Sequence, residues 1–335
     1  MSGPRVVALG GGHGLAASLS SLRRVTDAVT AVVTVADDGG SSGRLRDELG
    51  VLPPGDLRMA LAALCGEDEW GQTWSRVVQH RFEGEGELHG HALGNLLIVA
   101  LWELVGDDPV EGLAWLARLL RCTGKVLPMS NVPLDIVAEV VGADAAAPDA
   151  VSEVRGQVAV ATTRGRVRSV ALEPSQPSAC GPAVAAVREA DWVVLGPGSW
   201  FTSVIPHLLV PELASALVET SARRLVVVNL APEGGETRGF SPDTYLRVLG
   251  EHCPDLRLDV VLADAGSVAN PARLHEAAAA YGARVVLAPL RAADGSPRHD
   301  PTRLAEAYAA VTRSTPGSAG HDVVTTNDRK DPAWR

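Results

Sequence analysis

Three glycine-rich segments of this 335-residue chain have the composition of phosphate-binding loops. Residues 10–14 read Gly-Gly-Gly-His-Gly, residues 39–44 read Gly-Gly-Ser-Ser-Gly-Arg, and residues 196–199 read Gly-Pro-Gly-Ser. Glycine lets the main chain adopt φ > 0 and lets a ligand approach the backbone N–H groups. A helix that starts at such a loop adds the positive end of its dipole. Each segment alone is a weak signal, since a tight turn has the same composition.

Two aspartates precede the second loop, and a third follows it. Asp37 and Asp38 come after a β-branched run, at the position where an acidic residue in a dinucleotide-binding fold bonds a ribose diol. Asp56 follows two prolines and a glycine, where it suits the N-cap of a helix. The three carboxylates could instead hold a divalent metal such as Mg²⁺ beside bound phosphates.

A polar segment, residues 89–95, precedes a strongly apolar run. Its two histidines would not share a helix face, which makes them a poor metal pair. His91 and Asn95 either reach into a polar cleft or make core hydrogen bonds. No motif for nucleophilic catalysis is convincing, and the sequence has neither a zinc-protease H-E-x-x-H nor a P-loop.

Apolar runs that alternate with glycine turns and alanine-rich or leucine-rich segments predict the elements that position these residues. We expect buried parallel strands joined by crossover helices, with the glycine loops at one sheet edge. Strands are predicted at 5–9, 30–35, 192–195, 225–229, 258–262 and 284–287. Helices are predicted at 56–65, 70–80, 92–105 and 110–121.

The predicted fold is α/β and Rossmann-like, with a mostly parallel central sheet and helices on both faces. A single nucleotide-binding domain is expected over residues 1–313. It would carry a small β-rich insertion at about 125–175, with strands at 134–141, 153–159 and 167–172. Residues 314–335 are too polar to offset their ordering entropy, so a disordered tail is expected.

Charge and hydropathy narrow the range of partners. The net charge of −10 and pI near 5.4, with scattered Lys and Arg, disfavour a nucleic-acid partner. No apolar run is long enough to cross a bilayer, so we expect a cytoplasmic protein without membrane insertion. The four cysteines are interpreted as isolated, reduced core residues. The apolar middle helices favour a homodimer.

Several of these segments together resemble the gluconeogenesis factor family (YvcK-like), which is related to the 2-phospho-L-lactate transferases. The resemblance covers roughly residues 5–305. The segments that carry it are GGGHGL at 10–15, TVADDGGSSGRLRDELG at 34–50, PPGDLR at 53–58, GHALGNLL at 90–97, GPGSWFTSVIP at 196–206, GGET at 234–237 and RHDPTRL at 298–304.

The resemblance implies a regulatory protein that binds UDP-N-acetylglucosamine and is needed for cell shape and peptidoglycan precursor balance under gluconeogenic growth. A catalytic activity is not an assured property of that branch. Some relatives carry a phosphorylated threonine where this chain has Pro301, so a Ser/Thr kinase would have to use Thr302 or the tail. The chain also departs from the family pattern at His13, at Met59 and over 231–237.

The resemblance also implies the members of the nucleotide site. Carried over residue by residue, they are Gly12, Gly14, Asp37, Asp38, Ser41, Ser42, Arg44, Asn95, Gly198, Ser199, Asn229 and Arg298. The same loops add to the predicted site Gly11, His13, Leu15, Gly39, Gly40, Gly196 and Thr202.

The same residues are compatible with two other functions. In a Mg²⁺-dependent transferase of the phospholactate type, Asp37, Asp38 and Asp56 would hold the metal against a diphosphate. In an NAD-binding protein, the same loops would bind the dinucleotide, since NAD and a UDP-sugar share a pyrophosphate and a ribose diol. No cofactor is certain from the sequence.

Overall fold

The computed structural model describes residues 3–106, 108–232 and 235–313. The predicted tail, 314–335, lies outside these ranges. Within them the strands are β1 (Val6–Gly10), β2 (Val29–Val33), β3 (Lys125–Pro128), β4 (Asp135–Val141), β5 (Val151–Arg155), β6 (Arg166–Glu173), β7 (Trp192–Leu195), β8 (Arg223–Val227), β9 (Val260–Asp264) and β10 (Arg284–Ala288).

Helices and short helical turns connect these strands. The helices are α1 (Gly12–Leu22), α2 (Gly40–Leu49), α3 (Gly55–Leu64), α4 (Glu69–Gln79), α5 (Leu93–Leu104), α6 (Pro109–Leu120), α7 (Gln157–Ala161), α8 (Gly181–Glu189), α9 (Pro211–Glu219), α10 (Pro242–His252), α11 (Pro271–Ala279) and α12 (Pro301–Arg313). Two short helical turns, Trp200–Val204 and Ile205–Leu208, follow β7. The four predicted helices correspond to α3, α4, α5 and α6.

Seven strands form a parallel sheet in the order β10-β9-β8-β7-β1-β2-β3. This sheet, with its flanking helices, confirms the predicted Rossmann-like class. All five residues of β1 and of β9 are buried, as expected for parallel strands that are covered on both faces. The chain runs from β1 outward through β2 to β3, and later returns to place β7 on the other side of β1. The loops that follow β1 and β7 are therefore neighbours at the point where the strand order reverses.

The first helix shows how the sequence attaches the first loop to the core. Leu15, Leu19 and Leu22 recur at helical spacing and are each at most 1% exposed, so they form the apolar face of α1. On the same side of the helix, the buried Ser18 hydroxyl shares a 2.7 Å hydrogen bond with the Tyr308 hydroxyl of α12. The position of the α1 N-terminus is thus fixed by packing along the helix.

A separate antiparallel sheet, in the order β5-β4-β6, forms the inserted block. It begins at Asp135 and not near 125, because β3 belongs to the main sheet. The predicted strand 153–159 is wrong in its second half, where the chain forms α7. Gly156 adopts φ 96° between β5 and α7, and this left-handed turn interrupts the strand pattern.

No single helix in the described part of the chain is long and apolar enough to span a bilayer. One pair of helical segments, Trp200–Leu208 and Pro211–Glu219, bent by 75°, meets the length and composition criteria when taken together.

Candidate functional site

The first and third glycine loops are in direct contact. A Cβ added to Gly14 would overlap the carbonyl oxygen of Pro197 and lie 2.5 Å from the Cα of Gly198. Gly198 has φ +141°, and a Cβ there would lie 3.7 Å from the Gly11 carbonyl oxygen. Any side chain at residue 14 would push the two loops apart. Glycine is required there because the backbones touch.

An asparagine side chain holds the third loop in place. The Gly198 N–H donates to Asn229 Oδ1 at 2.9 Å, and Asn229 Nδ2 donates to the Gly198 carbonyl at 2.8 Å. Asn229 lies two residues beyond the end of β8. Its amide is therefore committed to the backbone of the third loop, and it positions the predicted site through that loop.

The helices that follow the first two loops begin without a capping side chain. Gly11 precedes α1 and Gly39 precedes α2, and neither position makes a side-chain cap hydrogen bond. Gly12 and Gly40 open the two helices at φ +56° and +48°. A Cβ added to Gly40 would meet nothing within 4 Å. The Gly12 N–H bonds the Asp56 carboxylate, and N-terminal N–H groups without such a partner favour a bound anion.

Two carboxylates lie between these loops. A Cβ on Gly55 would lie 2.7 Å from Asp37 Oδ2, and a Cβ on Gly11 would overlap the Asp56 carboxylate. The other oxygen of Asp37, Oδ1, accepts a 3.0 Å hydrogen bond from the Gly39 N–H. The second loop therefore reaches the first loop through Asp37, Gly55 and Asp56.

Asp56 is a buried acid with a perturbed pKa. Burial, and then the charge of Asp37, raise its pKa from 3.8 to about 7, against the opposing effects of the Gly12 N–H and Arg58. Its predicted role as an N-cap is wrong, since α3 begins at Gly55 and the capping position is Pro54. The protonation state of Asp56 therefore changes near neutral pH, beside the N-termini of α1 and α3.

Asp38 contacts the inserted block. Its Oδ1 accepts a 2.9 Å hydrogen bond from the Val158 N–H, in the first turn of α7, and its carboxylate lies against Gly156. Asp38 therefore joins the second loop to the inserted block. In the described ranges, no group of three or more His, Cys, Asp or Glu side chains is placed to hold a metal ion. The three candidate aspartates do not form one ligand set.

Ser41 and Asn95 belong to a buried polar network. Ser41 Oγ lies 3.0 Å from His91 Nδ1 and accepts a 2.9 Å hydrogen bond from Asn95 Nδ2. Arg58 Nε donates to Asn95 Oδ1 at 2.9 Å and a second guanidinium nitrogen contacts Gln79. The network fixes the start of α2 against α5, which is the core hydrogen-bonding alternative for Asn95.

Residues 39–43 also fit the G-x-S-x-G pattern of a nucleophile elbow, with Ser41 as the serine. Ser41 is only 3% exposed, and its hydroxyl also accepts a 3.3 Å hydrogen bond from the Ala92 N–H. Burial and these hydrogen bonds leave its hydroxyl no approach to a substrate. The motif is therefore structural in this chain.

The two predicted arginines make their described contacts outside the three loops. Arg44 donates to the carbonyls of Glu87 at 3.2 Å and His89 at 2.7 Å. Arg298 lies on the segment after β10, where it pairs with Asp294 at 3.1 Å and its side chain is 77% exposed. In the part of the chain that the structure describes, no hydrogen bond or ion pair joins either guanidinium to Asp37 or Asp56.

The remaining predicted members differ in exposure. His13 is exposed on the first turn of α1, whereas Leu15 is part of the core. Thr202 is buried, and its carbonyl accepts a 3.4 Å hydrogen bond from Gln157 Nε2 of α7. The other predicted members are glycines and hydroxyl residues of the three loops, namely Gly12, Gly39, Ser42, Gly196 and Ser199.

Two residues at the site were not predicted. Ser203 Oγ would lie 3.2 Å from a Cβ on Gly11. Arg58 donates a hydrogen bond to Asn95, and its charge acts on Asp56. Burial is the main cause that lowers the pKa of Arg58, to about 10. Arg58 occurs in the segment PPGDLR at 53–58, but no pattern identifies which arginine of a helix is buried. The spacing around Ser203 is that of an ordinary apolar segment.

A cavity of about 770 Å³, the α1–α3–α4 cavity, lies between these three helices and apart from the glycine loops. Its polar lining includes Ser20, Arg23, Arg24, Cys65, Glu67 and Arg76. None of the three glycine loops contributes to this lining.

The fold and the loops define a class of protein. A parallel sheet whose strand order reverses between β1 and β7, with glycine loops at that point, is the architecture of Rossmann-like α/β proteins. The chain belongs to the CofD family, and the family model, described as 2-phospho-L-lactate transferase CofD, matches residues 6–292.

Individual relatives agree with this assignment. A protein from Mycobacterium tuberculosis is 50% identical over 341 residues, which cover 98% of this chain and 99% of that protein. The Listeria monocytogenes relative, named gluconeogenesis factor, is 38% identical over 268 residues, 79% of each chain. A crystal structure of a UPF0052 family member from Bacillus halodurans superposes with TM-score 0.81 at 32% identity and covers 92% of this chain and 99% of that chain.

Proposed function

We propose that this protein binds a nucleoside diphosphate sugar, UDP-N-acetylglucosamine in the first instance, at the edge formed by the three glycine loops. Its role would be regulatory, in cell shape and cell-wall precursor balance during gluconeogenic growth. The observation that carries the proposal is the backbone contact between Gly14 and Gly198. This contact joins the loops after β1 and β7 beside the start of α1, where the N-cap residue Gly11 has no capping side chain.

The electrostatics of this edge suit a pyrophosphate that is bound by the starts of two helices. The N–H groups at the starts of α1 and α2 can bind phosphate oxygens, and the glycines allow close approach. Asp37 keeps one carboxylate oxygen beyond its bond to Gly39, and this oxygen can accept from a ribose hydroxyl. The proton on Asp56 limits the repulsion between carboxylates and phosphates.

The test compares two glycines of one helix. Gly40 and Gly50 lie at opposite ends of α2, have φ +48° and +68°, and would each point a Cβ into open space. Ala at either position costs similar backbone strain, about 1 kcal/mol. Only the methyl of Gly40→Ala would face the proposed phosphate position. We expect roughly tenfold weaker UDP-N-acetylglucosamine binding by calorimetry for Gly40→Ala.

The control and the ligand panel complete this experiment. Gly50→Ala should bind as the unchanged protein does, although it loses a comparable amount of stability. Equal affinities of the two variants, or no heat with millimolar UDP-N-acetylglucosamine, would contradict the proposal. NAD is titrated in competition, because the loops alone do not separate the two ligands. Displacement of the UDP-sugar by NAD at lower concentration would favour the NAD-binding alternative.

A second candidate is Mg²⁺-dependent transfer of a phosphorus-containing group. It is favoured by the proximity of Asp37 and Asp56, since two carboxylates and ligand phosphates are typical Mg²⁺ ligands. With Asp38 committed to α7, Asp37 and Asp56 would hold the ion. Product formation that requires Mg²⁺ and is lost in Asp37→Asn would support this function. Binding without turnover would support the regulatory one.

A further inference from the structure

Two cysteines that are distant in sequence lie together at the ends of α3 and α6. The Thr123 N–H, in the peptide link after Cys122, donates at 2.9 Å to the Leu64 carbonyl, in the link before Cys65. The Leu61 carbonyl lies 3.5 Å from Cys65 Sγ and 3.3 Å from Cys122 Sγ. The two thiols also contact each other. The prediction of isolated cysteines is therefore wrong for this pair.

A small polar molecule can reach this pair from solvent. Cys65 lines the α1–α3–α4 cavity beside Arg23 and Glu67, and Cys122 is only partly buried. Arg23 pairs with Glu67 at 3.2 Å, and these side chains are 15% and 57% exposed. The polar side of the cavity thus brings solvent up to Cys65, whose own exposure is 3%.

The surroundings distinguish the two thiols. The hydrogen bond from Cys122 lowers the pKa of Cys65, and Arg23 acts in the same direction against the effect of burial. That contact, together with burial, raises the pKa of Cys122. Since the thiolate is the nucleophile, Cys65 is the group that reacts first. Cys122 remains a thiol in contact with it.

We propose that Cys65 and Cys122 form a peroxide-reactive dithiol that closes to a disulfide. The Cys65 sulfur bonds one peroxide oxygen, the O–O bond breaks, and the other oxygen leaves as hydroxide and takes a proton from solvent. The Cys122 sulfur then attacks the sulfenic acid on Cys65. The S–S bond forms as the S–O bond breaks, and water leaves with the Cys122 proton. Two thiols lose two electrons, and the peroxide becomes two waters.

The chain contains its own reference cysteines. Cys180 and Cys253 are buried, as Cys65 is, but they differ from it in that burial raises the pKa of each of their thiols. Neither lines the α1–α3–α4 cavity. Both should remain reduced under conditions that oxidise the pair, because a buried thiol of raised pKa forms little thiolate.

The test treats the folded full-length protein with hydrogen peroxide, alkylates it in denaturant and measures intact and peptide masses. We expect the loss of two hydrogens, one peptide that links Cys65 to Cys122, and reversal by dithiothreitol. The fraction of Cys65 and Cys122 that can still be alkylated should fall about tenfold faster than that of Cys180 or Cys253. In Cys122→Ser, the sulfenic acid on Cys65 should accumulate and be trapped by dimedone.

Three outcomes would overturn the proposal: equal oxidation of all four cysteines, a disulfide between two chains only, or no thiol loss in the folded protein. Cys253→Ser serves as the control variant and should form the Cys65–Cys122 link as before. If Cys122→Ser does not fold, Cys65→Ser gives an independent test, since it should show neither a disulfide nor a dimedone adduct at Cys122. An adduct at Cys122 in that variant would contradict the assigned order of reaction.

Discussion

Asp56→Asn is the substitution whose effect is most directly set by the structure. The folded-state pKa of Asp56 is about 7, against 3.8 for the ordinary group. Between these pH values the folded state keeps a proton that the unfolded state has lost, so stability falls as pH rises through this window. At 1.36 kcal/mol per pKa unit, the loss above pH 7 reaches about 4 kcal/mol.

The asparagine variant has no carboxylate to ionise, so this loss should disappear. Urea denaturation from pH 5 to pH 8.5 should give a steeper fall in unfolding free energy for the unchanged protein than for Asp56→Asn. The difference between the two should grow by about 2.7 kcal/mol across this range, because the first part of the loss, between pH 3.8 and pH 5, precedes it. Asp47→Asn, at an exposed position of α2, removes the same charge and serves as the control.

Ligand affinity should follow the same titration. The phosphates of a nucleoside diphosphate sugar are ionised throughout this range, so the ionised carboxylate of Asp56 repels them at high pH. Without Mg²⁺, binding should weaken from pH 6 to pH 8 in the unchanged protein and stay level in Asp56→Asn. Parallel stability curves for the two proteins would refute the reasoning, because they would place the Asp56 carboxyl in water and not in the buried position described.

Three further substitutions test the contacts around the loops. Gly14→Ala should abolish UDP-sugar binding and lower Tm, since its Cβ overlaps the Pro197 carbonyl; Gly181→Ala, where a Cβ meets nothing within 4 Å, should change neither measurement. Asn229→Ala should cost about 2 kcal/mol in urea denaturation, because two hydrogen bonds to Gly198 are lost. Arg58→Met should cost about 3 kcal/mol, since it leaves Asn95 and Gln79 without their buried partner; an unchanged midpoint would contradict the network.

The main sheet could be predicted because buried parallel strands have continuous apolar runs. The runs at β1, β7 and β9 have few other interpretations. The strand β3 was missed since its four residues include Lys125 and Pro128, as befits a short edge strand. The residues of α7 are mostly β-branched or small, so local propensity does not predict a helix there. The hydrogen bond that the Val158 N–H in its first turn donates to Asp38 is a tertiary contact, which no local pattern contains.

The site could be predicted as a set of loops but not as a set of contacts. Glycine spacing located the backbone segments, since positive φ and close approach have a sequence signature. The direction of a polar side chain has none. Asn229 and Asp38 each follow a strand and suit a ligand equally well, yet both are committed to neighbouring backbone. The pairing of Cys65 with Cys122 depends on how α3 meets α6, which no local pattern specifies.

The contact between Gly14 and Gly198 also has a consequence for how the protein matures. More than half of the chain separates β1 from β7, so their association has a long loop to close and forms only after distant segments have docked. A nascent or cleaved chain that ends before residue 192 would contain the first two loops but no complete edge. Affinity for the proposed nucleotide ligand would therefore be a measure of finished folding, and partly synthesised chains should not compete for that ligand.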